Sequence, residues 1–174
     1  MRLLDGICAV LAVVSGLILL ALIGLTFVDV VLRYVFSAPY LGAKDLLQMG
    51  MVVVISLAFP FTWRIGGHIV VDLIPDYGLR ALTATRDLVV RLIGIVIFAL
   101  LAWRAWVRAD DAVLFNEATN MIDLPFRPFF LVLAIAAAFQ AVVLCVEGVR
   151  VVLGLPLDHA VKWADVDDDV GAAE

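Results

Sequence analysis

The stretch that decides the fold is Gly6–Val28, GICAVLAVVSGLILLALIGLTFV, which contains 23 residues and no charge. A helix needs about 20 mainly apolar residues to cross the hydrocarbon layer of a bilayer. The stretch is too long for the core of a signal peptide, and no evident small-residue cleavage site accompanies it. We therefore predict a transmembrane helix that stays in the protein as an anchor.

Three more apolar runs follow, and they predict spans at about 46–63, 86–107 and 128–147. The third is the least clean, because its uncharged part, Leu92–Trp103, is short and the helix must extend backward through Arg91. The fourth begins at Pro128, and proline is tolerated in a first helical turn. Together with 6–28 these spans form a predicted transmembrane domain over residues 1–155. We expect the acidic residues 156–174 to be a solvated, mobile tail.

The composition supports the membrane prediction. The chain is 65% hydrophobic and 17% charged, with mean hydropathy +1.12, whereas soluble domains are about half apolar and a quarter charged. A chain of 174 residues cannot hide this excess in one globular core. Open backbone cannot face lipid, so the spans should be helices. The expected fold is an all-α membrane protein with four transmembrane helices, short interfacial segments and both termini on the same side. The net charge of −5 does not suggest a nucleic-acid partner.

The distribution of basic residues favours cytoplasmic termini, since cytoplasmic loops carry more Lys and Arg. The side that holds the termini would have seven of them: Arg2, Arg64, Arg80, Arg86, Arg91, Arg150 and Lys162. The opposite side would have five: Arg33, Lys44, Arg104, Arg108 and Arg127. On that opposite side, the polar segment 108–129 has interleaved apolar residues, and we expect a short helix lying on the membrane surface there.

Several polar residues near the spans are candidates for function, because charges in membrane segments are costly. Asp29 and Arg33 are four residues apart and can pair on one helical face, as can Asp87 and Arg91. Tyr34 suits the membrane interface. These residues are predicted to be structural.

The segment 64–72, RIGGHIVVD, holds Arg64, His68 and Asp72 at four-residue spacing. One histidine and one carboxylate, with no cysteine or second histidine nearby, are too few ligands to predict a metal site. A haem would need a facing histidine, and the second one, His159, lies in the tail. His68 can either fix a loop by hydrogen bonding or sense pH. Cys8 and Cys145 are interpreted as packing thiols. We expect no cofactor and no catalytic site.

The order of three motifs resembles one known family. They are DVVLRYVF at 29–36, LAFPFTW at 57–63 and RIGGHIVVD at 64–72. In this order and spacing, the chain resembles the small, DctQ-like membrane subunit of the tripartite ATP-independent periplasmic (TRAP) transporters. The family often has tryptophan and paired glutamates entering the second span, where this chain has Asp45 after Lys44.

The resemblance implies a non-catalytic scaffold in a bacterial inner membrane. Its partners would be a large multi-span subunit that carries organic acids with sodium, a periplasmic binding protein that it helps to dock, and membrane lipid. By the same resemblance, RIGGHIVVD is a structural cytoplasmic hinge. Two other classes stay open at this point: the membrane anchor of a redox or other enzyme complex, and a small transporter that works alone.

Overall fold

The computed structural model describes residues 2–38, 40–65 and 80–153, and in these ranges every side chain except those of residues 2–3 and 80–87. Four helices make up most of this part of the chain: α1 (Arg2–Val35), α2 (Ala43–Arg64), α3 (Arg80–Leu114) and α4 (Arg127–Val152). All four contain a segment that is long and apolar enough to cross a membrane. The predicted all-α membrane fold with four spans is confirmed.

The helices are longer than the predicted apolar spans at most of their ends. α1 begins at Arg2 and ends at Val35, and α3 continues from Val107 to Leu114. Hydrogen bonding within a helix does not stop where the apolar sequence stops, because charged residues outside the hydrocarbon layer are good helix formers. The helix predicted on the surface within 108–129 is wrong: residues 108–114 continue α3, residues 115–126 form a loop with one isolated bridge, Ala118–Pro125, and α4 begins at Arg127.

The four helices pack in the spatial order α1, α2, α4, α3, with extensive contacts between each neighbouring pair. α4 is therefore an inner helix, and Leu144, Gln140 and Val143 are among its fully buried side chains. α1 and α3 lie on the two outer sides and expose long apolar faces. The inner helices α2 and α4 hold most of the buried residues among those described, and the outer faces are left for lipid or another protein.

Close packing between α1 and α2 depends on a glycine. A Cβ atom placed on Gly50 would lie 2.7 Å from the Cδ2 atom of Leu22, which is closer than atoms of neighbouring side chains approach. One turn further along α2, Ser15 donates a hydrogen bond of 2.9 Å from α1 to the carbonyl oxygen of Val54. Small residues at such contacts let transmembrane helices approach each other.

The other small residues divide into two groups. Ala134 and Ala137 of α4 are buried inside the chain. Gly16 and Gly24 of α1 have open space at the Cβ position, and Ala138 of α4 is exposed. The two thiols divide in the same way, because Cys8 is buried and Cys145 is exposed.

α3 and α4 run antiparallel with a constant register. Arg91 lies beside Glu147, Gly94 beside Leu144, and Arg108 beside Phe130. Each step toward the C-terminus along α3 is matched by an equal step toward the N-terminus along α4. Depth along one helix can therefore be read from the other.

Candidate functional site

A cluster of polar side chains joins all four helices at one end of the molecule. It consists of Asp5 from α1, Trp63 and Arg64 from α2, Arg91 from α3 and Glu147 from α4, and we name it the Arg64 cluster. Arg64 donates a hydrogen bond of 3.0 Å from Nη1 to Glu147 Oε1 and a second from Nη2 to Asp5 Oδ1. Its guanidinium fork thus connects a first and a last helix that share no extensive contact of their own.

Glu147 is the acceptor at the centre of the Arg64 cluster. Its Oε1 atom binds Arg64, and its Oε2 atom accepts a 2.8 Å hydrogen bond from the indole N–H of Trp63. Nε of Arg91 lies 3.9 Å from Oε2, within ion-pair distance. Both oxygens of a buried carboxylate are therefore used, as the cost of burying an unpaired charge requires.

The electrostatics of the Arg64 cluster are balanced. Two arginines face two carboxylates, and Arg64, Arg91 and Glu147 are all buried. Asp5 is more open, with 32% of its side chain exposed. Arginine suits this position, because its planar fork can bind two acceptors while staying charged. Removing one member of such a buried ion pair lowers the stability of the protein by much more than the intact pair adds to it. The arrangement therefore fixes which helix ends meet.

The opposite end of the molecule uses carboxylates differently. Asp45, in the first turn of α2, accepts a hydrogen bond of 2.8 Å from the backbone N–H of Met121 and one of 3.3 Å from that of Ile122. These residues belong to the connection between α3 and α4, residues 115–126, which we name the Asp45 loop. The side chain at the start of α2 thus holds a loop that lies 76 residues further along the chain.

The Asp45 loop also has defined ends of its own. At the end of α3, Asn116 has φ 50°, Glu117 N–H donates to the carbonyl of Ala112 (2.9 Å), and Asn116 N–H to that of Val113 (3.2 Å). This is the bonding pattern of a Schellman motif, with asparagine in the left-handed position where glycine is usual. Further on, the hydroxyl of Thr119 accepts from the N–H of Leu124.

Asp29 plays the same part for the connection between α1 and α2. One of its oxygens lies 2.8 Å from Arg33, and the other accepts a hydrogen bond of 3.1 Å from the backbone N–H of Tyr40. Asp29 is buried, whereas 58% of the Arg33 side chain is exposed. The loop-holding bond of Asp29 is therefore the more protected of the two.

The remaining candidates from the sequence lie apart from these contacts or outside the described residues. Tyr34 is 81% exposed at the end of α1. His68 and Asp72 fall within residues 66–79, which lie outside the described part of the chain, and so does the predicted hinge. The side chain of Asp87 also lies outside it. Within the described ranges, no three His, Cys, Asp or Glu residues are close enough together to bind a metal ion.

Three members of the Arg64 cluster were not predicted. Asp5 and Glu147 mark the borders of predicted spans, and Trp63 is the last residue of the second predicted span. A signal was present in the sequence, since four spans place the start of α1, the end of α2, the start of α3 and the end of α4 on the same side. The charged residues that directly border the four uncharged runs on that side are Asp5, Arg64, Arg91 and Glu147, two of each sign.

The fold and the site define a class of protein: a small multi-pass membrane protein whose described polar groups hold helices and loops in place. The comparison with known families agrees. The family model of the DctQ component of tripartite ATP-independent periplasmic transporters matches residues 22–154, which is well over half of the chain. The chain belongs to this family of transporter subunits. A search among curated proteins gives no match. The match begins within α1, so Asp5 and Cys8 precede it.

Proposed function

We propose that the chain is the non-catalytic scaffold subunit of a sodium-coupled, binding-protein-dependent transporter for organic acids. Its family supports a place in such a transporter. The Arg64 cluster is the observation that carries the scaffold role, because one buried guanidinium links three helices through side-chain contacts. A part that must stay rigid while a partner moves is well served by contacts that fix helix ends. The alternative of a redox anchor gains no support from the family.

We further propose that both termini lie in the cytoplasm, on the seven-to-five distribution of basic residues. The Arg64 cluster would then lie at the cytoplasmic side and the Asp45 loop at the periplasmic side. In this orientation the Asp45 loop is suited to receive the periplasmic binding protein, since its backbone is held by Asp45 and side chains such as Met121 and Phe115 are exposed. A fixed loop loses little conformational entropy when a partner binds.

The test is uptake by proteoliposomes with a sodium gradient. The chain, the large membrane subunit of the same transporter and the matching binding protein are reconstituted together, and each is then omitted in turn. We expect accumulation of a labelled organic acid with all three components and none with the chain alone. Uptake by the chain alone would contradict the scaffold role, and full uptake without the chain would do so as well.

Orientation is tested separately. A cysteine in the C-terminal tail should resist an impermeant thiol reagent in intact spheroplasts and react after lysis. As a matched control on the other side of the membrane, a cysteine in place of Asn120, in the Asp45 loop, should react in intact spheroplasts. The reverse labelling pattern would overturn the proposed orientation.

A further inference from the structure

Arg104 lies near the C-terminal end of the third span, within the apolar segment Leu88–Leu114 of α3, and it is exposed on the surface of the chain. The register of α3 against α4 places Arg104 beside Ala134. Ala134 is seven residues beyond Arg127, where α4 begins, and this corresponds to about 10 Å along the helix axis. Arg104 is exposed on the chain's own surface, next to Trp103, which is 69% exposed. The charge of Arg104 is therefore about 10 Å closer to the middle of the bundle than the residue at which α4 begins.

Arg104 has no partner within the chain as far as the structure describes it, that is, over residues 2–38, 40–65 and 80–153. Its neighbour one turn on, Arg108, lies 3.4 Å from Glu117 and 3.9 Å from Asp111 and stands over the ring of Phe130. Arg91, at the other end of the span, belongs to the Arg64 cluster. Arg104 thus differs from both arginines on its own helix for which contacts are described.

The direction of α3 makes it harder for the Arg104 side chain to reach water at the nearer membrane surface. Side chains of an α-helix lean toward its N-terminus. The N-terminus of α3 is at the end of the Arg64 cluster, whereas the nearer membrane surface for Arg104 is at its C-terminal end. The side chain therefore starts out pointing deeper into the apolar layer. Arginines in such positions pair with a polar group that lies inside the protein complex.

We propose that the outward face of α3 around Arg104 docks against the large transport subunit, and that Arg104 pairs there with a carboxylate or a helix-end carbonyl of that subunit. This rests on the proposed function and names the surface that serves it. Val96, Leu100 and Trp103 lie exposed on the same face and supply the apolar part of the contact. Among the described side chains of α1, the outward face carries exposed glycines and every charged group has a partner, so the unpaired arginine selects α3. A lipid phosphate would have to descend about 10 Å to meet the guanidinium.

The experiment is a pull-down from mild detergent of the tagged chain co-expressed with the large subunit, with the molar ratio of the two measured. Arg104→Leu should lower that ratio by about tenfold or more, since a buried charge on the partner would lose its counterpart. Arg104→Lys should retain part of it. As a control, Arg127→Leu removes an exposed arginine on the same side of the membrane, at the start of α4, and should leave the ratio within about twofold. The amount of chain recovered should not fall for Arg104→Leu, because a charge leaves the apolar layer.

The other outcomes separate this proposal from the function on which it rests. If the wild-type chain retains the large subunit and Arg104→Leu retains it equally, the docking face is wrong and the scaffold function stands. If the wild-type chain retains no large subunit, both fall. Loss of bound phospholipid on Arg104→Leu, with the large subunit retained, would identify a lipid phosphate as the partner and overturn the proposal.

A second measurement covers the case in which Arg104→Leu lowers recovery of the chain itself. A photoreactive benzoylphenylalanine in place of Trp103 should cross-link to the large subunit on illumination of native membranes. Cross-links to phospholipid alone would overturn the proposal without any change to Arg104.

Discussion

The two ends of the molecule use similar charged residues for different purposes. In the Arg64 cluster, carboxylates bind arginines on other helices, so the contacts run between side chains and set which helices are neighbours. At the other end, Asp29 and Asp45 bind backbone amides, so their contacts set the course of loops. The difference shows that the role of an acidic residue at a helix end depends on its surroundings: it can bind a side chain of a neighbouring helix or the backbone of a connecting loop.

The largest effect is expected from Glu147→Ala at the Arg64 cluster. The change leaves Arg64, Arg91 and Trp63 without their shared acceptor. Loss of one partner of a buried ion pair costs about 3–5 kcal/mol. The free energy of unfolding, measured by denaturant titration in detergent, should fall by that amount.

A double variant makes the Glu147 prediction more specific. Arg64→Met combined with Glu147→Leu removes both charges and keeps apolar volume, so it should be less destabilising than Glu147→Ala alone. If the double variant is the less stable of the two, the Arg64 cluster does not act through compensation of charge.

Asp45→Ala should have the next largest effect, and a local one. The N–H groups of Met121 and Ile122 lose their acceptor, at about 1–3 kcal/mol for each group that stays buried. Asp45→Asn keeps one oxygen as an acceptor and should be milder. Hydrogen–deuterium exchange should speed up in the Asp45 loop while α4 stays protected. Equal acceleration across α4 would show that this end, too, controls helix packing.

Gly50→Ala tests the middle of the molecule, between the two ends. The new methyl group would press on Leu22, at about 1–3 kcal/mol for overpacking, and the gain in helix propensity of about 1 kcal/mol offsets part of this cost. A net loss of about 1 kcal/mol in the stability of the isolated chain follows. Gly16→Ala is the matched control, since its Cβ meets open space, and it should be neutral or slightly stabilising.

Arg33→Gln should have the smallest effect. The pair with Asp29 is 2.8 Å long but the arginine is mostly exposed, and exposed pairs contribute about 0–1 kcal/mol. The bond from Tyr40 to Asp29 does not need the arginine. The melting temperature should change by no more than a few degrees, and a larger drop would show that Arg33 helps to orient the Asp29 carboxylate.

The sequence was sufficient for the fold and for part of the site, for a physical reason. Long apolar runs are local, so the four spans can be read from one chain, and pairs such as Asp29 and Arg33 are visible because their spacing matches the helix repeat. The contact between Arg64 and Glu147 joins residues 83 positions apart, and no local pattern records which helices are neighbours. The role of Asp45 was even harder to predict, because its partners are backbone amides, which every non-proline residue carries.

The hydrogen bond between Arg64 and Glu147 can form only after α4, the last of the described helices, has been synthesised. The chain is made from α1 onward, so Asp5 and Arg64 enter the membrane long before their last partner exists. With 83 residues still to come and synthesis at about 5–20 residues per second, Arg64 spends several seconds without Glu147. A chain that stops early keeps a half-compensated arginine at its membrane edge. Such a fragment lacks the acceptor that completes the buried Arg64 pair in the finished chain.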